Sequence, residues 1–525
     1  GSYLGGTGTD SITLSGGDVV GNVSTGDGND TVLISSTDSK IGGNLDLGGG
    51  TGDTLSYAGY SDVVSVTLTG IASSAGSTAA GGATAISGTS AGFENLIGGS
   101  NSGDTITDST GDSTIVISGA NSGTIDGMAF SAIENLSLST GIDGVTVSTG
   151  GALSGNLSLG GGSSNTLLMD SGAGAIGSVS AAGGNDTITI NGGTVTGAVN
   201  LGDGANALTI NNTASTIGSY TGGSGVDTID SKGGDVLGAL STGAAADSVT
   251  LSLGAKITGA VTLGADSDSS DGSDTLTLNA SSITGEVRTG SGADAVNVLT
   301  GSTITGNVTL GTNSDIHDGG DTLTVTGTDS SSKSVITGSI TTGAGVDTLT
   351  LTNATIGGAG QTISLGSDSS SLDGNDKLTA TGTAITAAIS TGSGADELIL
   401  SAASSVSGNI TLGIDGDTST ASNADTLTLN ASSISGNVST GSGADVVTLN
   451  NTSTITGTVN LGSNADAYDG NDSLALSSGS NIVGNVDLGA ASDTLTLSTG
   501  ISSATTVTGD VGFGVGNADM LSYSG

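Results

Sequence analysis

The stretch Ala182–Leu201, AGGNDTITINGGTVTGAVNL, constrains this chain more than any other, because nearly every other segment is a variant of it. Gly183-Gly184-Asn185-Asp186 opens it, and Ile188 and Ile190 then alternate with Thr187 and Thr189. A Gly192-Gly193 corner follows, after which Val195, Gly197 and Val199 alternate with small polar residues until the next copy begins at Gly202. Strand, turn, strand and turn in about twenty residues make one coil of a β-solenoid. In an extended chain, side chains two apart share a face, so Asp186 points the same way as Ile188 and Ile190, at the edge of the coil. A carboxylate leaning inward there is costly unless a cation or a set of donors meets it.

Charge sharpens that problem. The 525 residues carry 49 acidic side chains against 6 basic ones, a net charge of −43, with aromatics at only 2%. Such a balance ordinarily argues for disorder. The 34% apolar content argues the other way, because it falls in alternating pairs. The two reconcile if the chain folds only when something cancels the charge. Nucleic acid and anionic membrane surfaces are poor partners for so acidic a chain, since both need Lys or Arg. No apolar run reaches the length of a membrane helix, and no signal peptide is visible. With no cysteine, disulfides and thiolate metal sites are excluded, which leaves any stapling to cations.

Along the chain, residues 1–59 read as three regular coils with motif aspartates at Asp10, Asp30 and Asp53. Residues 60–145 break the rhythm. Ser65–Gly70 still reads as strand, Ser73–Thr89 is weakly patterned, and Phe93-Glu94-Asn95-Leu96 and Ile133-Glu134-Asn135-Leu136 follow, with Asp104 between them. The expectation there is a continuing solenoid with wider, loop-bearing coils; the alternative is a small separate subdomain. Residues 146–246 return to short coils at Asn165, Asp186, Asn206 and Asp227, where the two asparagines keep an oxygen but lose the charge and predict weaker or empty sites. Residues 247–525, beginning at Asp247, alternate short and long acidic turns. The short ones end at Asp294, Asp347, Asp396 and Asp445, and the long ones run over 263–274, 310–321, 365–376, 412–425 and 461–472. The long turns are expected to emerge on one edge, every second coil. The chain starts and stops in mid-pattern, with GNADMLSYSG at its end, so it is expected to be cut from a longer fibre or to stack head to tail on another copy.

The fold class is therefore all-β, a parallel β-solenoid of about twenty coils with Gly-Asp turns along one edge. Stacked coils lie about 4.8 Å apart, and in-register aspartates at that spacing repel by roughly 0.9 kcal/mol per neighbouring pair even at the dielectric constant of water. Divalent cations between the turns reverse the sign. Calcium suits best, because it takes six to eight oxygen ligands, tolerates irregular geometry and accepts backbone carbonyls beside carboxylates. The candidate ligands are Asp10, Asp30, Asp53, Asp104, Asp186, Asp227, Asp247, Asp274, Asp294, Asp321, Asp347, Asp376, Asp396, Asp425, Asp445, Asp472, Asp493 and Asp519. The long turns add Asp271, Asp318, Asp373 and Asp469 as the first residue of Asp-Gly-x-Asp. These four fit extra calcium sites, a calcium-bridged lateral contact, or simply a solvated acidic loop.

The recurring Gly-x-Gly-x-Asp-x-(aliphatic)-x motif resembles the calcium-binding repeats of secreted RTX toxins, proteases and adhesins. The coil length, with one Gly-Asp turn and one Gly-Gly turn, is closer still to the calcium-bound solenoid of RTX ice-adhesion repeats. The resemblance covers most of the chain. It implies secretion, by the type I route of a bacterium, to the cell surface or beyond, with folding on meeting calcium outside.

Three functions follow as expectations. The first is structural and not enzymatic: a calcium-stiffened rod of roughly 100 Å, about 22 coils at 4.8 Å, serving as surface fibre, biofilm-matrix filament or adhesin stalk. Its partners would be copies of itself, head to tail or laterally through calcium, or further parts of a longer fibre. The second is ice or surface binding through outward pairs such as Thr187/Thr189, Thr275/Thr277, Thr322/Thr324 and Thr426/Thr428, although Lys377 and Glu397 interrupt that ladder. The third, a polysaccharide-processing β-helix enzyme, lacks the clustered basic and aromatic residues such chemistry needs. His317 reads as an exposed loop residue, the six basic residues are scattered, and Asn-x-Ser/Thr triplets such as Asn22–Ser24 carry little information in this composition.

Overall fold

The computed structural model describes the chain except residues 72–78, 368–371, 414–422, 464–467, 500–503, 517 and 525. Parts of the weakly patterned stretch Ser73–Thr89, of the long turns 365–376, 412–425 and 461–472, and of the terminal GNADMLSYSG lie outside the described residues. Among the described residues every regular element is a strand, and no helix is long and apolar enough to cross a membrane. The fold is an all-β solenoid, divided into two compact units, Gly1–Ala239 and Leu240–Gly525.

In the first unit the coil of Ala182–Leu201 has the parity its sequence dictates. Asp186, Ile188 and Ile190 are buried while Thr187 is exposed. The strand Thr187–Ile190 lies parallel to Thr166–Met169 on one side and Ala207–Asn211 on the other, in the registers Leu167↔Ile188↔Leu208 and Met169↔Ile190↔Ile210. Aliphatics therefore stack on aliphatics from coil to coil. Each fully buried Leu, Ile or Val in such a file contributes about 1.5–3 kcal/mol. The return strand Thr194–Gly202 stacks on Thr216–Gly222 with Val195↔Ile217 and Val199↔Tyr220, which closes the core from the other side.

Between residues 60 and 145 antiparallel hairpins are spliced into the parallel stack. Ser65–Ile71, Ala79–Ala83 and Ser90–Phe93 form one meander, and Thr114–Gly119, Ser122–Ile125 and Met128–Ser131 form another. Parallel stacking continues through both, with Leu45↔Ser90 and Leu55↔Leu96↔Phe130 in register. Tyr57 is fully buried here, its hydroxyl donating to the Thr84 carbonyl at 2.7 Å and its ring edge-on to Tyr60 at 5.8 Å.

In the second unit one aliphatic file runs unbroken as Leu276, Val296, Leu323, Leu349, Leu378, Leu398, Leu427, Val447, Leu474 and Leu495. The register is the same whether a short or a long turn intervenes, so the extra residues of a long turn do not shift the strands that follow it. Asp315, fully buried in one long turn, accepts from the Ser267 amide of the preceding long turn at 2.9 Å and from the Ser291 hydroxyl of the short turn between them at 2.6 Å. These two long turns thus lean on one another across the short one between them.

The opposite corner is tied by asparagine. The Asn44 amide donates to Asn22 Oδ1, Asn437 donates to Asn409 Oδ1 and Thr458 to Asn437 Oδ1, each at 3.0 Å. A further file of Ser and Thr hydroxyls accepts amide protons between coils, as from Ser432 to Ser453 and from Ser453 to Ser480, both at 3.2 Å.

Candidate metal-binding column

The motif aspartates form a hydrogen-bonded column, unbroken from Asp247 to Asp519 in the second unit and in separate runs, Asp10 to Glu94 and Asp143 to Asp227, in the first. The amide of each donates to Oδ1 of the residue in the same place one coil on. In the first unit Asp10 donates to Asp30 at 2.7 Å, Asp30 to Asp53 at 2.6 Å, and Asp53 to Glu94 Oε2 at 2.8 Å. Farther along, Asp143 donates to Asn165 at 3.0 Å, Asn165 to Asp186 at 2.8 Å, Asp186 to Asn206 at 3.1 Å and Asn206 to Asp227 at 3.1 Å. In the second unit the order is Asp247, Asp274, Asp294, Asp321, Asp347, Asp376, Asp396, Asp425, Asp445, Asp472, Asp493 and Asp519, with links of 2.7 to 3.1 Å. Parity alone accounts for the column: the residue two before the first core aliphatic must face inward, and parallel register sets it on its equivalent.

One oxygen of each carboxylate is engaged in this way. The other is the open question. Oδ2 of Asp30, Asp53, Asp186, Asp274, Asp321, Asp376, Asp472 and Asp493 is buried and accepts no hydrogen bond from the protein. A buried acceptor left like this costs about 1–3 kcal/mol, and more if charged. Burial comes first in pushing up the carboxyls of Asp53, Asp274, Asp321, Asp376, Asp472 and Asp493, and like charge adds to it. Asp274, facing Asp294, Asp271 and Asp247, reaches about 9, and Asp321, facing Asp318, Asp294 and Asp347, reaches about 10. Asp376 reaches about 10 and Asp472 about 9 for the same reasons, while their amide donors pull the other way and lose.

Asn206 shows what the turn offers to that second atom. Its Nδ2 donates to the carbonyls of Gly202 and Gly204, both at 3.1 Å. Those glycines have φ of +67° and +114°, and the same left-handed pair precedes Asp294 (Gly290 at +108°, Gly292 at +125°) and Asp347 (Gly343 at +113°, Gly345 at +114°). On that turn an aspartate sets an acceptor where Asn206 sets a donor, so a carboxylate oxygen faces carbonyl oxygens. An oxygen-seeking cation held between them, or a proton on the carboxyl, resolves the conflict. Among the described residues no three acidic, His or Cys side chains gather closely enough to hold a metal by themselves. A cation on this column would take one or two carboxylates and complete its shell with main-chain carbonyls.

Not every coil leaves that oxygen open. Asp227 Oδ2 accepts from the Tyr220 hydroxyl at 2.8 Å, and Asp104 Oδ2 from the Gly99 amide at 2.5 Å. The Thr342 hydroxyl lies against Asp347 Oδ2 and also against the Leu365 carbonyl at 2.8 Å, and its single proton serves one of them.

The second aspartates of the long turns stand apart from the column, as caps on backbone amides. Asp271 Oδ2 accepts from Ala265 of its own turn at 3.0 Å and from Ser291 of the next at 3.1 Å. Asp373 Oδ2 does the same with Ser367 and Ser393, both at 2.9 Å. Asp318 accepts from Ala344 at 2.9 Å, and Asp469 accepts from Ala490. Each sits between two glycines. A Cβ on Gly264 would lie 1.7 Å from Asp271 Oδ2, and one on Gly290 2.3 Å from it. His317 is partly exposed, with Nδ1 3.7 Å from Asp315 Oδ1. The Asp315 carboxyl is held below its usual range although burial pushes it up, because Ser291, Ser267 and His317 all donate to it.

Three column members escaped the sequence. Glu94 and Glu134 take the aspartate place in the irregular coils, accepting from Asp53 at 2.8 Å and Asp104 at 3.2 Å, and Asp143 accepts from Ser113 at 2.8 Å. None has the Gly-x-Gly-x-Asp frame. The signal available was parity, since Leu96, Leu136 and Val145 each follow two residues later. No protein-family model matches this chain, and no curated protein matches it.

Proposed function

We propose that this chain is a structural β-solenoid stiffened by calcium, a secreted surface fibre, matrix filament or adhesin stalk of the RTX type, with no enzymatic role. Calcium supplies charge neutralisation and oxygen coordination on the carboxylate column. The chain's own residues supply the rest: motif aspartates present the buried Oδ2, and glycines such as Gly290 and Gly292 let the turn carbonyls face it. The observation that carries the reading is the contrast on one kind of turn, where Asn206 satisfies two turn carbonyls and Asp294 leaves an acceptor buried instead. The resemblance of the repeats to RTX sequences supports export and an extracellular site of folding. Copies of the same chain, or further parts of a longer fibre, are the partners this reading favours. Recognition of ice is less well supported, because the outward file Thr322, Thr348, Lys377, Glu397, Thr426 and Val446 carries an ion pair and a valine among its threonines.

Equilibrium dialysis of the purified chain against calcium tests the proposal. The expected result is many ions per chain, on the order of ten, with magnesium a poor competitor. Binding of one or two ions, or equal preference for magnesium, would count against it.

A further inference from the structure

The column is not uniform, and its exceptions cluster. From Asn165 to Asp227 it reads Asn, Asp, Asn, Asp, so no two carboxylates are neighbours, whereas all twelve column members of the second unit are aspartates. Both atoms a cation would otherwise satisfy are met by protein groups in two successive coils of this stretch. Asn206 Nδ2 occupies the carbonyls of Gly202 and Gly204, and the Tyr220 hydroxyl donates to Asp227 Oδ2. Asp186 keeps one buried oxygen without a donor, but both its column neighbours are neutral.

A third observation is independent of charge. The return strands here are long, nine residues in Thr194–Gly202, the longest of its sheet among the described residues, and seven in Thr216–Gly222, where the second unit makes do with pairs such as Val287–Arg288 and Val308–Thr309. More interstrand hydrogen bonds and a buried Tyr220 therefore hold these coils. Side-chain amides add to this, as from Asn211 Nδ2 to Asn191 Oδ1 at 2.8 Å.

We infer that residues 166–232 form a cation-independent seed, in which Asn206 and Tyr220 take the place of bound cations and from which coils that need calcium grow by stacking. The inference rests on the proposed calcium role of the remaining coils. Stacked repeats gain stability from nearest neighbours, so a preformed block removes the cost of nucleation and offers a template edge to the next coil. The device gives an acidic chain a folded starting point before calcium is abundant, and leaves extension under calcium control.

Hydrogen exchange of the full chain at neutral pH, with chelator and with calcium, tests it. In chelator the amides of Thr187–Ile190 and Ala207–Asn211 are expected to exchange at least about a hundredfold more slowly than those of Thr275–Asn279 and Thr322–Thr326, and calcium should protect both sets. If both sets exchange freely in chelator and calcium protects both, the seed is overturned and the calcium reading stands. If both are protected with or without calcium, the calcium reading falls and the seed with it. Two variants refine the test. Asn206→Asp should lose the protection of 187–211 in chelator and regain it in calcium, and Tyr220→Phe should lose it in chelator. Retention in chelator by both variants, or failure of Asn206→Asp to recover in calcium, would overturn the roles assigned to these side chains.

Discussion

Asp294 and Asn206 stand on the same kind of turn and differ in whether the inner atom of the side chain gives a proton or demands one. Asp294→Asn should therefore stabilise the metal-free chain by about 0.5–1.5 kcal/mol, since its amide can donate to the turn carbonyls as Asn206 does, and should lower the calcium needed for folding. A calcium titration followed by circular dichroism checks this; a higher calcium midpoint would contradict it. The raised carboxyls make a second prediction for the metal-free protein. Asp274, Asp321, Asp376 and Asp472 have folded values of about 9, 10, 10 and 9, far above the ordinary carboxylate range. The folded state then binds more protons than the unfolded one. Its stability is fully present below about pH 4 and is lost as pH rises through the folded values. In chelator the β signal should grow on acidification from pH 8 to pH 5, and loss of signal over that range would refute the assignment. Much at this scale was legible in the sequence, because Asp186, Ile188 and Ile190 declare their common face by spacing alone. Asn206 was legible only by half: the lost charge was evident, but the capture of two carbonyls by its amide needs the turn in three dimensions. Glu94 and Glu134 were hidden because a longer side chain reaches the column from just ahead of a strand, without the glycine frame.

The coil, as an element, is defined as much by its corners as by its strands. Gly290 combines a φ of +108° with Asp271 Oδ2 2.3 Å from where a Cβ would sit, whereas Gly301 has a φ of +74° in open space. Gly290→Ala should cost about 2–4 kcal/mol through strain and overpacking together. Gly301→Ala should cost only about 1 kcal/mol, the strain alone. Thermal melts of the two variants in calcium test the difference, and equal losses would mean that the cap on Asp271 is not rigid. At the opposite corner Asn437→Ala removes an acceptor for the Thr458 amide and should cost about 0.5–1 kcal/mol at this exposed site, read in the same melts. Sequence alone showed that long and short turns alternate between strands of one repeat, since the aliphatic pattern resumes in step after each. It did not show that Asp271 and Asp373 cap amides of two successive turns, or that Asp318 and Asp469 cap an amide of the next, because an acidic loop reads the same whether its carboxylates face water or backbone. The asparagine ladder was missed for a related reason. Asn22 and its equivalents look like scattered polar residues until parallel register brings each Oδ1 under the next coil's amide.

At the scale of the whole molecule, an aliphatic file that stacks coil on coil is balanced against a carboxylate file that must stack with it. The same register that gains burial for Leu276 through Leu495 forces Asp247 through Asp519 into line, so neither file can be relaxed without the other. Charge of −43 on 525 residues makes that balance dependent on what accompanies the protein. The most direct measurement is far-ultraviolet circular dichroism of the full chain at neutral pH, first in excess EDTA and then on stepwise addition of calcium. The account predicts a weak β signal in EDTA, limited to the coils around Asn206, and a cooperative rise to full strength as calcium is added. A full β signal that persists unchanged in EDTA would contradict it.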